Sequence, residues 1–327
     1  VLFPNESQKP FVQAVLLRLM QTASPRRGLA PLLLVLLGAV WGTSFVLMKL
    51  GLFARDGSAL LRPIDLAAWR IGCASLLLFA LYFRRLQHLT AAQWGWAAVV
   101  GIVGSTIPAA LFATAQTQLP SAVAGMLNAL SPLWTLLLSV IAFRRPVRRL
   151  QLIGVLVGLV GAVLLVTRSH GAGPDAATAG PAAALLVVLA TACYGVSVNV
   201  TREKLGAVDA SAMTTASLLT ALIPCTLVVA TGDLPTTAIH HPDGPRALLA
   251  ITVLGAVGTA GALAVFNRIV QWTDAVTASS VTYIIPVFAT LLGLAGGEPL
   301  RTGHFLASGL ILVGVAITHA DLYRRPK

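Results

Sequence analysis

The chain has 327 residues, 57% hydrophobic and 10% charged, with a mean hydropathy of +0.84 and a formal net charge of +12. A soluble domain carries about 25% charged residues, so these figures exclude a soluble globular protein, a disordered chain and a collagen-like fibre. The positive charges fall between apolar runs, which points to orientation in a bilayer and away from nucleic acid.

Ten apolar segments are predicted, at 30–52, 64–83, 94–115, 122–143, 150–166, 182–200, 210–230, 247–270, 276–296 and 305–320. Each has about the length a helix needs to cross ~30 Å of hydrocarbon. None shows the ~10-residue alternation of barrel strands. The expected fold is therefore an all-α integral membrane protein of ten transmembrane helices. The apolar run Phe11 to Leu17 looks like a short signal h-region but is broken by Arg18 and followed by Pro25-Arg26-Arg27 and not a small-residue cleavage site, so residues 1–29 are expected to be a cytoplasmic tail lying on the membrane surface.

The first segment carries Trp41-Gly42 in its middle and Lys49 near its far end, where a lysine snorkels to the headgroups. The second carries Arg70. A charge at that depth costs roughly 2.5–3.5 kcal/mol on insertion scales, so Arg70 either contacts an anionic group of a solute or serves structure and gating. The fourth carries Asn128, Ser131 and Pro132. Pro132 has no N–H, so a carbonyl one turn earlier loses its partner and the helix kinks towards a cavity. Asn128 lies one turn before it on the same face.

A basic loop, Arg144-Arg145-Pro146-Val147-Arg148-Arg149, follows and suits orientation and anionic lipid. The fifth segment has a Gly154–Gly158 stripe that allows close helix contact, inside the chain or with a second copy. The sixth carries Tyr194-Gly195 and Asn199; Asn267 ends the eighth, and both asparagines suit interhelical hydrogen bonds. The ninth carries Thr282 and Tyr283 ahead of Pro286, and Glu298 follows at its rim as the candidate for any coupling to ions. Cys73, Cys193 and Cys225 sit in apolar runs without a CxxC pair, so they pack as small apolar residues.

Ten crossings put both termini on one side. With the N-terminus inside, the inner segments hold 16 Lys and Arg and the outer ones 5, which assigns both termini to the cytoplasm. The two halves also match at one offset. Trp41-Gly42 pairs with Tyr194-Gly195 and Gly161 with Gly314, each 153 residues apart, and Phe112 pairs with Phe266 and Pro132 with Pro286, each 154 apart. Five helices per half is an odd number, so the second half enters the membrane upside down, as an inverted repeat suited to alternating access. The expected organisation is a first repeat at 30–167, an external linker at 168–181, a second repeat at 182–320 and a cytoplasmic tail at 321–327.

These residues carry a resemblance. Gly38-Ala39-Val40-Trp41-Gly42-Thr43-Ser44-Phe45, Ala67-Ala68-Trp69-Arg70, Asn128-Ala129-Leu130-Ser131-Pro132, Tyr283-Ile284-Ile285-Pro286 and Gly297-Glu298-Pro299-Leu300 together resemble an EamA-type member of the drug/metabolite transporter superfamily. The resemblance spans about Leu29 to Thr318. It implies two five-helix repeats, location in the bacterial inner membrane and export of small metabolites, amino acids or drugs. One departure is plain: the first half has Arg144-Arg145-Pro146 where the second has Gly297-Glu298-Pro299.

No carboxylate or histidine is expected at the midplane, so a proton relay through the spans has no groups to use. No Walker A, HExxH or GxSxG pattern occurs. The expectation is a secondary transporter and not an enzyme, without cofactor or metal. A small-molecule substrate and the lipid bilayer are its partners, nucleic acid is not, and a homodimer is a candidate. Trp41, Arg70, Asn128, Ser131, Tyr194, Thr282 and Tyr283 are the candidate cavity residues, with Pro132 and Pro286 as kinks. An importer, an exchanger or a non-transporting scaffold are the alternatives.

Overall fold

The structure is a computed structural model that describes residues 29–142, 144, 149–168, 176–272 and 281–323. Residues 1–28 of the expected N-terminal tail, Arg145 to Arg148 of the basic loop, residues 169–175 of the linker, the start of the ninth segment at 276–280 and residues 324–327 of the C-terminal tail lie outside the described residues, as does the side chain of Asn267.

The described chain is helical, with one isolated bridge between Phe53 and Ala59. Helix α1 is Ala30–Leu52 and α2 is Pro63–Tyr82, each opened by a proline where the missing N–H is one that no helix would bond. A tight turn, Phe83–His88, ends α2. Helix α3 runs Ala91–Gly101, Ile102–Thr106 and Ile107–Ala115. Its start is held by a capping box in which Thr90 and Gln93 bond each other's backbone N–H. Helix α4 comes in two pieces, Ser121–Asn128 and Ser131–Ile141. Helices α5 (Arg149–Arg168) and α6 (Ala176–Lys204) follow. Helix α7 is Ala210–Thr220 continued by Leu222–Thr231. A short helix, Leu234–His240, leads into α8, which runs Gly244–Gly255, Ala256–Gly261 and Ala262–Trp272. Helices α9 (Val281–Ala295) and α10 (Thr302–Tyr323) close the chain.

Eight of these helices are long and apolar enough to cross a membrane, and two shorter apolar ones lie in α9 and α10. Their outward faces carry large apolar side chains such as Leu76, Ile223, Leu249 and Leu306. Such faces need hydrocarbon and not water around them. The main core lies among α1, α3, α4, α6, α8, α9 and α10, around Leu52, Leu119, Leu127 and Leu130; a second cluster joins α2 to α7 through Ile71, Leu78, Leu218 and Cys225.

The packing settles the question left open at Gly154 and Gly158. Both glycines face α10 or α4 within the chain: Gly154 lies against Gly314 and Thr318, and Gly158 against Leu133. The stripe is used internally, because without side chains the α5 and α10 backbones come into direct contact.

Several contacts between the halves occur in exchanged pairs. Gly42 of α1 lies on Phe288 of α9, and Gly195 of α6 lies on Trp134 of α4. Gly258 of α8 faces Ser44 of α1, and Gly104 of α3 faces Ser197 of α6. Gly161 of α5 meets Ala307 of α10, and Gly314 of α10 meets Gly154 of α5. In every case the two contacts interconvert by moving each residue 153 or 154 positions into the other half.

Candidate functional site

Two helices change winding at matched places. Ile102–Thr106 in α3 and Ala256–Gly261 in α8 are π-helical, wider than an α-turn. In α3, Pro108 lies just beyond the wide turn and offers no N–H to the residues before it. In α8 three glycines, Gly255, Gly258 and Gly261, line the turn. Hydroxyls take up the displaced carbonyls: Thr106 Oγ1 donates to the Gly101 carbonyl at 3.1 Å, and Thr259 Oγ1 to the Leu254 carbonyl at 3.1 Å. Single wide turns of this kind recur at functional sites.

The α8 turn gathers two residues singled out from the sequence. The Trp41 indole N–H donates to the Gly258 carbonyl at 3.0 Å. Arg70 Nε donates to Thr259 Oγ1 at 2.8 Å, while Nη1 lies 3.9 Å from Met48 Sδ. Thr259 thus donates with its proton and accepts with its oxygen, which fixes its orientation and that of the guanidinium. Next to Arg70, Trp69 donates to Thr252 Oγ1 at 2.8 Å, a second tie from α2 to α8. Among the described residues no carboxylate oxygen lies within 4.0 Å of Arg70. Tyr194 lies within electrostatic range of it.

Aromatic rings extend the cluster. Tyr194 stacks on Phe112, with centroids 6.1 Å apart, and Phe112 tilts against Phe45 at 5.8 Å. Trp41 tilts against Phe266 at 5.5 Å. Trp41, Arg70 and Tyr194 are each half-buried. The arrangement sets two groups of aromatic rings, with Phe45 and Phe112 buried, near one held cation, chemistry suited to an amphipathic solute.

The remaining candidates lie on α4 and α9. The α4 helix breaks at Ala129-Leu130, two residues before Pro132, which sits near the start of the second piece. Ser131 Oγ closes the break by donating to the Asn128 carbonyl at 2.8 Å. The Asn128 side chain is half-buried. Pro286 is accommodated inside α9 without a break. Thr282 and Tyr283 are half-buried on the turn before it. Among the described residues no hydrogen bond joins Asn128, Ser131, Thr282 or Tyr283 to Arg70. They approach the cluster through helix packing: α9 touches α1 at Gly38 and Gly42, beside Trp41, and α4 touches α6 at Gly195, beside Tyr194. Asn199 Nδ2 reinforces that second contact by donating to the Thr135 carbonyl at 2.9 Å, the interhelical bond expected of it.

Glu298 has a definite place. Its carboxylate accepts from the Ser121 N–H at 2.7 Å and the Ala122 N–H at 3.0 Å, the first turn of α4. Those donors have no partner inside their own helix, and the helix dipole favours a negative charge there. Beneath this cap, Gln116 Nε2 donates to the Phe45 carbonyl at 2.9 Å and to Ser121 Oγ at 3.2 Å. Lys49 lies over the Phe53 ring at 5.2 Å and within electrostatic reach of Glu298.

The same end carries Arg62 paired with a fully buried Asp65 at 2.8 Å, and Arg55 paired with Asp243 at 3.3 Å. The hydrogen bonds and charge of Asp65 raise the Arg62 guanidinium above its ordinary value. The opposite end carries Arg85 paired with Asp209 at 2.9 Å. Among the described residues no group of three His, Cys, Asp or Glu side chains could hold a metal ion. A cleft of about 460 Å³ lies between α5 and α10 against Leu164, Arg168 and Gly303, and shares no residue with the aromatic cluster.

Sequence reading missed Gly258, Thr259 and Met48, and named Phe45 only as part of the first-segment motif. A threonine inside an apolar run carries no spacing signal of its own. The repeat offset could have found it, since Thr106 and Thr259 lie 153 residues apart.

Comparison with known proteins agrees with this architecture. The model of the EamA-like transporter family matches residues 29–167 and again residues 181–319. The chain is 25% identical over 297 residues to the "Uncharacterized inner membrane transporter YedA" of Escherichia coli (strain K12), covering 88% of this chain and 89% of that protein. It is equally identical over 297 residues to an "Uncharacterized transporter" of Archaeoglobus fulgidus, covering 97% of that protein. A solved crystal structure shares the fold, with a TM-score of 0.59 at 21% identity over 90% of this chain and 98% of the other. The family matches cover both wide-turn helices and every helix that supplies the aromatic and cationic cluster, so this chain belongs to the EamA-like transporter family, within the drug/metabolite transporter superfamily, and is a membrane transporter.

Proposed function

We propose that the chain is a secondary carrier that exports small organic metabolites, amino acids or drugs by alternating access between two inverted five-helix repeats. The repeats are 30–167 and 182–320, joined by an external linker, 168–181. The observation that carries this reading is the exchange of contacts between the halves. A simple translation of one half onto the other would not return each inter-half contact to another inter-half contact; a two-fold rotation does. With five helices in each half the rotation axis lies in the membrane plane, so exchanging the conformations of the halves opens the path to the opposite face.

The solute sits at the aromatic cluster between Trp41 and Tyr194, with Arg70 as the cationic contact and Asn128, Ser131, Thr282 and Tyr283 lining the approach from α4 and α9. Pro132 and Pro286 provide the bends on which these two helices move. Location follows the inner-membrane relative and the charge count: the plasma membrane, with both termini cytoplasmic.

The test is mass spectrometry of the medium from cells that overproduce the wild type or Asn128→Ala at matched membrane levels. Solutes enriched outside by the wild type alone support export with Asn128 on the path. Equal enrichment by both keeps export and removes Asn128 from the path. Depletion of solutes from the medium by the wild type replaces export with uptake.

A further inference from the structure

We infer that Glu298 is a latch that holds the outer end of the transport path shut, and that this chain, lacking the matching carboxylate in its first repeat, rests closed outside. The inference rests on the alternating-access reading above. Three observations carry it.

First, the carboxylate crosses from the α9–α10 connection to the first turn of α4 and takes both of its leading N–H groups. A separation of α4 from α9 at this end breaks both bonds together. Second, burial along α4 is lopsided. Every residue of its outer piece from Ser121 to Leu127 is buried, whereas only Leu133 and Ser139 are buried in the inner piece Ser131–Ile141. A membrane helix that faces lipid is not buried all round unless its neighbours close over it. The layer beneath is equally tight: Leu119, Gln116 and Leu52 are at most 1% exposed.

Third, the two-fold relation assigns Glu298 a counterpart. Gly297-Glu298-Pro299 aligns with Arg144-Arg145-Pro146 at an offset of 153. An arginine accepts no hydrogen bond, and its charge opposes the positive end of a helix dipole. The state reached by exchanging the halves therefore has no matching latch, so the two states are unequal in energy and the outer-closed one is favoured.

Cysteine labelling tests this. Cys73, Cys193 and Cys225 are replaced by alanine, and Val123→Cys on α4 and Leu165→Cys on α5 serve as reporters, both fully buried in the wild type. A membrane-impermeant maleimide is applied to vesicles of both orientations. With Glu298→Ala, labelling at position 123 is expected to rise about tenfold or more, the scale of losing hydrogen bonds to a charged group, while position 165 stays unreactive. Glu298→Gln keeps one acceptor oxygen and falls in between. Unchanged labelling at 123 in both variants overturns the latch, as does an equal rise at 165, which marks general loosening. Solute counterflow by the wild type in the same vesicles reports on the carrier reading separately: counterflow with unchanged labelling removes the latch alone, and absent counterflow removes the carrier.

Discussion

Arg70 bonds neutral partners, Thr259 Oγ1 and Met48 Sδ, in a setting where an arginine would ordinarily be matched by a carboxylate. The sequence alone offered two roles for it, contact with a solute or support of structure; the geometry shows the second, since Thr259 holds the guanidinium, and leaves it placed for the first on the proposed reading. Lysine carries the charge without the planar fork. Arg70→Lys is expected to reach normal membrane levels but to lower counterflow about tenfold, and Thr259→Val to lower it in the same direction by less. Normal counterflow in Thr259→Val would remove the aiming role. Trp41, Arg70 and Tyr194 were legible because a charge or a repeated aromatic-glycine pair stands out in an apolar run. Gly258 was not, because its contribution is a carbonyl released by helix winding, and no side chain records that.

At the scale of the helix, ends and irregular turns hold the information that apolar periodicity lacks. The expected kink in α4 is a break, placed ahead of Pro132 because a proline is tolerated in the first turn of a new helix. The wide turns of α3 and α8 went unread, since neither glycine nor threonine spacing is specific for them. The start of α7 is better defined. Asp209 accepts from Ser211 and Ala212 N–H at 3.1 and 3.0 Å and pairs with Arg85. Partial burial pushes its carboxyl upwards, but the Ala212 N–H, Arg85 and the Ser211 N–H together outweigh that and hold it below its ordinary value. A carboxyl depressed in the folded state stabilises it above the unfolded value, about 3.9, and that contribution disappears as pH falls through the lower folded value. Asp209→Ala is expected to cost about 1 kcal/mol. In thermal melts of the detergent-solubilised protein, the gap between variant and wild type should shrink as the pH is lowered through the carboxylate range; a gap independent of pH would contradict the charged cap.

Across the whole molecule the bundle is tied at both ends, by Arg55–Asp243 and Arg62–Asp65 at one and by Arg85–Asp209 at the other. The Glu298 tie to α4 is additional to these. The expected orientation is open to a direct check. Asp56→Cys in the α1–α2 connection should react with an impermeant maleimide only from outside the cell, and Arg85→Cys beyond α2 only from inside. Reaction of both from one face would overturn the crossing of α2. The all-helical membrane class and the family were readable from apolar length and from residues recurring at one offset; of the ten segments expected, eight are helices long enough to span among the described residues and two are shorter apolar helices. The proposed inversion of the halves rests, at the level of sequence, on an odd number of segments in each half. What the structure adds is the exchanged contacts, which depend on which faces meet, and a single sequence does not specify that.

The glycine seam between α5 and α10 has a mechanical consequence. Gly161 on Ala307 and Gly314 on Gly154 interconvert at the repeat offset, so the two-fold line of the proposed inverted repeat would run through this seam. When two bodies tilt about such a line, displacement grows with distance from it. On the proposed mechanism α5 and α10 are the fulcrum, α4 rests against it through Leu133 on Gly158, and the helices farther out are the ends of the lever. Two backbones in direct contact, with no side chains between them to compress, make a stiff bearing for that motion.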